Sequence, residues 1–240
     1  MTIGKIHRPR SLWGRVGLAG GCVTALAAVA VTAGYLSTSR DQHASPAAPA
    51  AVDITRVSKI RQSFPAGFEY REGQRLVSQK TVDSIKAPKD RQIRPEACAA
   101  QAADSIDSTF VGTKMYGVDA FGHGLMYVIT AQETPSSTPP HEEQQRDCSY
   151  TEVIYSDGRA LSTPADAPNV RDVKVHAVHT VAQRAGAVID SYSYKAWLDG
   201  HHAVVLTVAS DPGATPPANP IDPTFAKKTF AEAITLVRGN

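Results

Sequence analysis

Histidines are the side chains in this sequence that first indicate metal chemistry. Eight occur in 240 residues, and four of them form two close pairs, His176 with His179 and His201 with His202. Residues three apart point to opposite faces of a strand, as direct neighbours do, so His176 and His179 could share a metal ion only on a helix. The apolar residues around His176 alternate as they do in a strand. We therefore expect partly exposed histidines, no metal site and no cofactor.

Signatures of nucleophilic catalysis and of phosphate binding do not occur in the sequence. It contains no G-x-S-x-G elbow, no S-x-x-K with partner motifs, no G-x-x-x-x-G-K-[ST] loop and no G-x-G-x-x-G fingerprint. Asp104 and Asp107 have helical spacing, but so do most solvated surface carboxylates. Gly122-His123-Gly124 has the composition of a turn. No catalytic residue is predicted, and a binding role is favoured over an enzymatic one.

Three aromatic residues on one predicted strand, Tyr192, Tyr194 and Trp197, are candidates for lining a ligand groove. Aromatic rings with polar tips suit a half-wet pocket. The alternative is that these rings pack on the sheet against the C-terminal helix, and this is the role that we expect. Lys227 and Lys228 are expected on a solvated helix face. The sequence assigns no ligand-binding residue.

The formal net charge of +2 hides a difference between the two ends of the chain. Lys5, Arg8, Arg10, Arg15 and Arg40 precede the first acidic residue, and the other 20 basic residues meet 23 acidic ones, which leaves −3. A near-neutral domain without a dense basic stripe lacks the charge that phosphate binding requires. Nucleic acid is thus excluded as a partner.

Residues 16–36 form an uncharged stretch that is long enough to span a membrane. As a helix it would extend about 31 Å, the thickness of a bilayer core. The basic residues before it predict a cytoplasmic segment at 1–15 and an external C-terminal domain. The alternative is a signal peptide cleaved before Gly34, which would give a secreted protein. Cys22 is interpreted as a membrane-buried thiol rather than a lipidation site.

Residues 37–52 have the small, proline-dotted composition of a flexible linker. They would separate the membrane from one domain over residues 53–240. Export places this domain in an oxidising compartment, where its two cysteines, Cys98 and Cys148, are expected to form a disulfide. A redox-active thiol pair is the alternative, but it would prefer a C-x-x-C spacing.

Three helices are predicted in the domain. Apolar spacing indicates a short helix at 54–60 that ends before Pro65. Pro95 has the position of a first helical residue and places Cys98 on a helix. Asp222-Pro223 begins a C-terminal helix with an apolar face, and Gly239 ends it.

Strand patterns occupy most of the remaining domain. Residues 110–118 and 125–130 are expected to form an antiparallel pair around a turn at 119–124, and a further strand is expected at 150–155. Asp199-Gly200 predicts a two-residue hairpin loop. That loop would place Trp197 opposite His202.

The run at 203–209 is apolar on both faces, which predicts a central strand that is covered on both sides. Strands broken by a few helices, without regular βαβ alternation, indicate an α+β domain. We expect an antiparallel β-sheet flanked by helices, preceded by the single N-terminal transmembrane helix.

Several short segments carry a family resemblance: FPAGFEY at 64–70, PEAC at 95–98, DAFGHGLMYVITAQE at 119–133, RDCSYTEV at 146–153, and YSYKAWLDGHHAVVLTV at 192–208, together with the final helix. The chain resembles an uncharacterised family of exported mycobacterial proteins. That family is similar to the extracytoplasmic sensor domain of mycobacterial serine/threonine kinases. The resemblance implies an antiparallel sheet flanked by helices, with a cleft that binds a ligand.

Two departures limit what this resemblance implies. The kinase sensor domains typically carry two disulfides, whereas this chain can form one. It also has no kinase motif, which excludes signalling through a kinase domain of its own. The expected function is a membrane-tethered, sensor-like module that binds an envelope ligand or protein. The alternatives are an envelope hydrolase with an unrecognised active site and a structural subunit of an envelope complex.

The N-terminus of the mature protein distinguishes an anchor from a cleaved signal peptide. We predict that the mature chain retains residues 16–36 and fractionates with membranes, because this stretch exceeds the roughly 7–15 apolar residues of a signal peptide. N-terminal sequencing of the protein from its host is the measurement. A mature chain that starts near Gly34 would contradict the anchor.

Overall fold

The structure is a computed structural model that describes residues 51–84, 91–99, 110–137, 148, 150–215 and 218–239. In these residues, nine antiparallel strands form one sheet: β1 (Glu69–Leu76), β2 (Gln92–Arg94), β3 (Lys114–Gly122), β4 (Leu125–Glu133), β5 (Thr151–Tyr155), β6 (Gly158–Pro164), β7 (Val175–Arg184), β8 (Ala187–Trp197) and β9 (His202–Ser210). Their order in the sheet is β1-β3-β4-β9-β8-β7-β6-β5-β2. The α+β class and the antiparallel sheet are therefore confirmed.

Four short or medium helical segments accompany the sheet in the described residues. They are a first 3₁₀ helix (Ile54–Ser63), a short α-helix (Gln79–Ser84), a second 3₁₀ helix (Glu96–Cys98) and the C-terminal α-helix (Pro223–Arg238). Pro95 lies directly before the second 3₁₀ helix, so the residue that was expected to be its first is its N-terminal cap. Residues 100–109 lie outside the description.

The C-terminal helix has the ends that the sequence predicts. The Asp222 carboxylate accepts a hydrogen bond from the Thr224 N–H, and Gly239 adopts the left-handed conformation (φ 75°). These caps satisfy backbone groups that a helix leaves unpaired at its termini. The predicted apolar face is buried except for Phe225, which is half-buried, and the helix also buries Ala226.

The first 3₁₀ helix and the C-terminal helix pack together on one face of the sheet, here called the helix-covered face. Its fully buried side chains include Val57, Ile60, Val118, Ile129, Val204, Leu206, Val208, Phe230, Ile234 and Val237. Burial of this apolar surface is the main favourable contribution to folding. A second, smaller cluster forms on the opposite face, where Met115 packs against Val77, Val82 and Phe110.

The centre of the sheet is the predicted apolar run. Residues 203–209 lie in β9, which is bonded to β4 on one side and to β8 on the other. Ala203 and Val205 on one face are as buried as Val204 and Leu206 on the other. The prediction of a central strand covered on both sides is confirmed.

In the hairpin between β3 and β4, the strands are longer and the loop is shorter than the sequence predicts. Residues 119–122, which were predicted to lie in the turn, belong to β3, and only His123 and Gly124 form the loop. Both residues have positive φ, 56° and 73°. A two-residue loop of this kind matches the twist of the strands, and Gly124 adopts its conformation without a side-chain penalty.

The hairpin between β8 and β9 has a register that differs from the prediction by one residue. Trp197 pairs with Ala203 rather than with His202, and the Leu198 N–H donates to the His202 carbonyl, 2.8 Å away. The loop therefore contains His201 in addition to Asp199 and Gly200. The His201 carbonyl accepts the Thr134 N–H at 2.8 Å, which holds the extra residue in place.

The Asp199 carboxylate explains why this three-residue loop is stable. Its Oδ1 accepts the N–H groups of His201 and His202 at 2.7 and 2.8 Å, and its Oδ2 lies 2.8 Å from His202 Nδ1. An aspartate whose carboxylate accepts the backbone N–H groups two and three residues ahead stabilises a local turn, here a loop of three residues.

Cys98 and Cys148 form the predicted disulfide, with their Cα atoms 5.6 Å apart. It joins the second 3₁₀ helix to the segment just before β5, beside the β2–β5 edge of the sheet. The predicted transmembrane stretch, residues 16–36, lies outside the described residues. In the part of the chain that the structure describes, no helix has the length and hydropathy needed to cross a membrane.

Replacing Asp199 tests the origin of the β8–β9 register. We expect Asp199→Ala to lower the free energy of unfolding by about 1–2 kcal/mol, because two backbone N–H groups lose a charged acceptor. Asp211→Ala is the matched control, since that carboxylate accepts only the Gly213 N–H and should have a smaller effect. Denaturant unfolding of the full chain measures both. Equal losses in the two variants would contradict the role given to Asp199.

Candidate functional site

Lys195 occupies an unusual position for a lysine, the middle of a sheet. It lies on β8, and its Cα partners are His176 on β7 and Val205 on the central strand β9. Its neighbours Tyr194 and Ala196 face the helices, so Lys195 points to the opposite face. We call this the polar face. Only 8% of Lys195 is exposed.

Among the described residues, no carboxylate forms an ion pair with Lys195. Its ammonium instead lies 4.9 Å from the centre of the Trp197 ring, within range of a cation–π interaction. Burial lowers the pKa of Lys195 to about 8, because an apolar setting disfavours the charged form. Burial, together with the nearby Lys195 charge, also lowers the pKa of His176. Both shifts favour the uncharged forms of these side chains.

Two further polar groups on this face are buried without a hydrogen-bond partner. They are Trp197 Nε1, a donor, and Gln132 Oε1, an acceptor. Trp197 and Gln132 flank Ala203 in one row across β8, β9 and β4. Buried polar atoms in folded proteins almost always have a partner, from the protein, from water or from a ligand. Lys195, Trp197 and Gln132 together form the candidate binding centre.

A row of paired residues that begins with two glycines leads from one edge of the sheet towards this centre. Gly73 on β1 pairs with Gly117 on β3, Gly117 with Thr130 on β4, and Thr130 with Val205 beside Lys195. A Cβ atom built on Gly73 would have no neighbour within 4 Å, and one built on Gly117 would meet only atoms 3.9 Å away. The space above the glycines is therefore open.

We call this row the glycine groove. Its neighbouring rows carry larger side chains, Met115 and Gln132 on one side and Asp119 and Val128 on the other. From Gly73 to Lys195 the groove crosses four strand spacings, about 19 Å. Gly73 is exposed, Gly117 is half-buried, and Val205 and Lys195 are buried. The row is therefore open at the β1 edge and covered by protein at its inner end.

The outer end of the groove is charged. Arg71 and Arg75 on β1 lie on either side of Gly73, and Asp119 is the Cα partner of Arg71. Burial raises the pKa of Asp119, while Arg75 and Arg71 act in the opposite direction. The Arg71 guanidinium also lies 5.1 Å from the centre of the Phe121 ring. Positive charge therefore occurs at both ends of the groove.

The three candidate aromatic residues separate between the two faces. Tyr194 packs against Phe230 of the C-terminal helix, with ring centres 5.7 Å apart, as the structural alternative predicted. Burial raises the pKa of Tyr194 to about 12. Tyr192 stacks on His179 at 4.4 Å. Of the three, only Trp197 belongs to the polar face, and the packing role predicted for it was wrong because it lies three residues after Tyr194 on one strand and so points to the opposite face.

The histidines lie as the strand pattern predicts. His176 and His179 are both in β7 and point to opposite faces, and His179 Nε2 lies 2.6 Å from Asp190 Oδ1. His201 Nδ1 lies 3.0 Å from the Thr134 carbonyl oxygen, whereas His202 contacts Asp199. In the described residues, no three His, Cys, Asp or Glu side chains come close enough to share a metal ion.

The remaining candidates are two lysines and two aspartates. Lys227 and Lys228 are on the C-terminal helix, where Lys228 is exposed and Lys227 is half-buried. Asp104 and Asp107 lie outside the described residues. The hypothesis that these residues serve only as surface charges stays a prediction for the aspartates.

Sequence reasoning missed Lys195 and Gln132. A signal was present for Lys195, because Ser193, Lys195 and Trp197 alternate with Tyr192, Tyr194 and Ala196 beside a strand predicted to be covered on both faces. A charged side chain on the strand that pairs with such a covered strand is expected to be buried as well. Gln132 had no comparable signal, since its burial depends on the register with Ala203.

The observed architecture defines an α+β domain with one large antiparallel sheet and a buried polar centre on its less helical face. The chain belongs to the family described as a domain of unknown function, DUF5642, whose model matches residues 53–238. This match agrees with the resemblance to an uncharacterised family. The comparison with curated proteins gives no match.

One solved structure is similar over most of its length. It is the crystal structure of an uncharacterised protein from Mycobacterium smegmatis, the Rv0999 ortholog. The two chains are 22% identical, with a TM-score of 0.64, and the similarity covers 78% of this chain and 97% of the other. At this identity the likeness establishes a shared fold.

Removal of the buried charge should stabilise the domain. The pKa of Lys195 falls from 10.5 to about 8, which corresponds to about 3 kcal/mol of unfavourable burial at pH 7. Lys195→Met also loses a cation–π contact of about 1–2 kcal/mol. We therefore expect this variant to raise the free energy of unfolding at pH 7 by about 1–2 kcal/mol.

The same pKa shift predicts how this difference depends on pH. Between about pH 8 and 10.5 the unfolded state binds the Lys195 proton more strongly than the folded state, so the wild-type domain gains stability as pH rises. The advantage of Lys195→Met should shrink across that range. Denaturant unfolding at several pH values measures it, with Lys228→Met as the exposed control. A destabilised Lys195→Met at pH 7 would contradict the assigned burial penalty.

Proposed function

We propose that this protein is a membrane-tethered, extracytoplasmic binding module that holds a ligand in the glycine groove. The observation that carries the proposal is a pair of buried polar atoms without a hydrogen-bond partner in the described residues, Trp197 Nε1 and Gln132 Oε1, on the same face as the buried Lys195. Lys195, Trp197 and Gln132 offer a positive charge, a hydrogen-bond donor and an acceptor on one face. Such convergent polar groups beside apolar side chains are typical of small-molecule sites.

The energetics of Lys195 support a role in binding rather than in folding. A buried ammonium without a carboxylate partner destabilises a folded domain, because its desolvation is not offset by an ion pair. A bound group that pairs with this charge would offset the penalty. Ligand binding and domain stability are therefore coupled at this residue.

The proposed envelope location and sensor-like role of the protein are based mainly on its sequence. The apolar stretch at 16–36, the linker at 37–52 and the disulfide are the features that support an envelope location. The resemblance to the sensor domains of mycobacterial kinases supports a role in ligand detection. In this proposal, an occupied groove is the state that a partner in the envelope would recognise.

An envelope hydrolase is the second candidate, and one observation favours it. The lowered pKa of Lys195 leaves part of the amine neutral near pH 8, where it can act as a base or nucleophile. However, no hydroxyl or thiol in the described residues forms a hydrogen bond with its Nζ. A binding role requires only the groups already in place.

A third alternative, a structural subunit, would need a continuous exposed apolar patch. Among the described residues, the large apolar side chains that are well exposed lie on different elements, including Leu76 on β1, Tyr150 before β5 and Val188 on β8. Their positions on separate elements favour the groove as the functional region.

Native mass spectrometry of the full chain tests the proposal. The protein is incubated with a small-molecule extract of mycobacterial cell envelope, and wild type is compared with Gly117→Val. Valine fits the extended backbone of β3 and should preserve the fold, but its side chain fills the groove floor. We expect wild type to retain a bound compound and Gly117→Val to lose it.

Lys228→Met serves as the matched surface control and should bind as wild type does. Equal retention by wild type and Gly117→Val, or no retention by either, would exclude the groove as the binding site. Consumption of a compound with release of smaller products would instead support the hydrolase. Thermal unfolding of each variant verifies that the fold is intact.

A further inference from the structure

We infer that the end of the domain that receives the N-terminal linker docks on a membrane surface of anionic phospholipid headgroups. This inference rests on the membrane tether in the proposed function and adds the surface that faces the membrane. The surface, here called the basic patch, consists of three described segments, 51–59, 170–174 and 235–239. Its attachment to the linker, its charge and its tethered position carry the argument.

The chain that follows the linker is fixed to the domain at the basic patch. The Asp53 N–H donates to the Val237 carbonyl at 3.0 Å, and Val52 packs against the core. The chain therefore joins the domain beside the last turn of the C-terminal helix. Because the linker alone separates this point from the expected membrane span at 16–36, the tethered chain reaches the membrane from this end of the domain.

Hydrogen bonds connect the three segments of the basic patch. Arg238 Nη1 donates to the Arg171 carbonyl at 3.0 Å, which joins the end of the C-terminal helix to the segment at 170–174. The bond already described joins the same helix to the segment at 51–59. The sequence shows no dense basic stripe because these positions are far apart along the chain, whereas the fold brings them together.

The basic patch is positively charged in a domain that is negative overall. Its five basic side chains face two acidic ones, which leaves +3, whereas all residues after Arg40 together carry −3. Asp53 pairs with Arg56 at 3.5 Å, and Asp172 pairs with Arg171 at 3.4 Å. Three positive charges therefore remain to attract an anionic surface. The five basic residues are Arg56, Lys59, Arg171, Lys174 and Arg238.

Basic side chains of the patch are accessible to a surface that approaches from outside. Lys59 and Lys174 are exposed, and the Arg171 side chain is 94% exposed. Phosphate oxygens accept strong charged hydrogen bonds from lysine and arginine. The attraction of a basic residue to an anionic membrane extends over a Debye length, about 8–10 Å at physiological salt. Exposed charges on one end of the domain therefore suit a headgroup layer, which requires no cavity.

The linker makes this short-range attraction effective. As a flexible chain, residues 37–50 would have an end-to-end distance of about 20 Å. A site confined at such a distance experiences an effective concentration in the millimolar range, so contacts too weak to recruit a free domain can hold a tethered one. In the docked orientation, the loop at 185–186 points away from the membrane, because it lies at the far end of the strand that follows the segment at 170–174.

Energy transfer from tryptophan to labelled lipids tests the inference. Trp197 ends β8 beside the start of β7, at the same end of the sheet as the patch, and it is the remaining tryptophan in the full chain carrying Trp13→Phe. This chain is reconstituted in dansyl-labelled vesicles of phosphatidylcholine, alone or with about 30% phosphatidylglycerol. We expect at least about twofold more transfer in the anionic vesicles, and loss of this difference at about 0.5 M salt.

Variants in the same background assign the contact to the patch. Lys59→Gln combined with Lys174→Gln removes two exposed charges and should reduce transfer in anionic vesicles towards the level in neutral ones. Arg159→Gln combined with Lys228→Gln is the matched control, because it removes the same charge from exposed positions outside the patch. The control should behave as the parent does. Thermal unfolding verifies that each variant is folded.

Equal transfer in neutral and anionic vesicles would overturn the inference and would favour an acidic partner protein as the occupant of the patch. Equal losses in the two double variants would also overturn it, since attraction would then reflect overall charge. Flotation of the same samples separates these results from the tether. A chain that floats with both vesicle types but shows equal transfer retains the tether and refutes docking. A chain that floats only with anionic vesicles supports docking and refutes the tether, and one that floats with neither refutes both.

Discussion

The register between β8 and β9 determines which side chains form each face of this protein. Because side chains alternate along a strand, a shift of one residue exchanges the two faces. With Trp197 opposite Ala203, the lysine shares its face with Val205 rather than with Val204 and the helices. Asp199 and the Thr134–His201 hydrogen bond stabilise this alignment at the loop. The packing of Tyr194 on Phe230 and the burial of Lys195 both depend on it.

The two faces of the sheet differ in the kinds of side chain that they bury. On the helix-covered face, apolar side chains from five neighbouring strands meet two helices, and the aromatic rings of Phe64, Tyr127 and Phe225 pack edge to face. On the polar face, Ser193 and Thr207 bond to each other across β8 and β9 at 3.0 Å. Trp197 Nε1 and Gln132 Oε1 on this face are buried without a hydrogen-bond partner in the described residues, as are the Tyr194 hydroxyl and Thr229 Oγ1 on the helix-covered side.

Much of the fold could be predicted from the sequence, because local signals fix the elements. Proline, aspartate and glycine mark the ends of the C-terminal helix, and the two-sided apolar run at 203–209 identifies the central strand. The turn at 123–124 and the register at 199–201 could not be derived in the same way. Each depends on which residue of the segment is the last to pair with the neighbouring strand. At residues 199–201, the last paired residue is determined partly by a contact with a distant residue, Thr134.

The candidate site was less predictable than the fold. A groove formed by Gly73 and Gly117 exists only because β1 and β3 align two glycines that are 44 positions apart in the chain. Lys195 and Gln132 lie on strands with one strand, β9, between them and are 63 positions apart in sequence. No short motif contains such an arrangement. The disulfide was predictable because it depends on the number of cysteines rather than on their spatial neighbours.

The disulfide also has a consequence for the edges of the sheet. At one edge, β1 carries alternating charges, such as Glu69, Arg71 and Glu72, which discourage pairing with another chain. At the other edge, β2 has only three residues, and its few hydrogen bonds to β5 are weak protection by themselves. The Cys98–Cys148 bond joins the chain just after β2 to the chain just before β5. It therefore ties β2 to β5, the strand that would become the edge of the sheet if β2 detached.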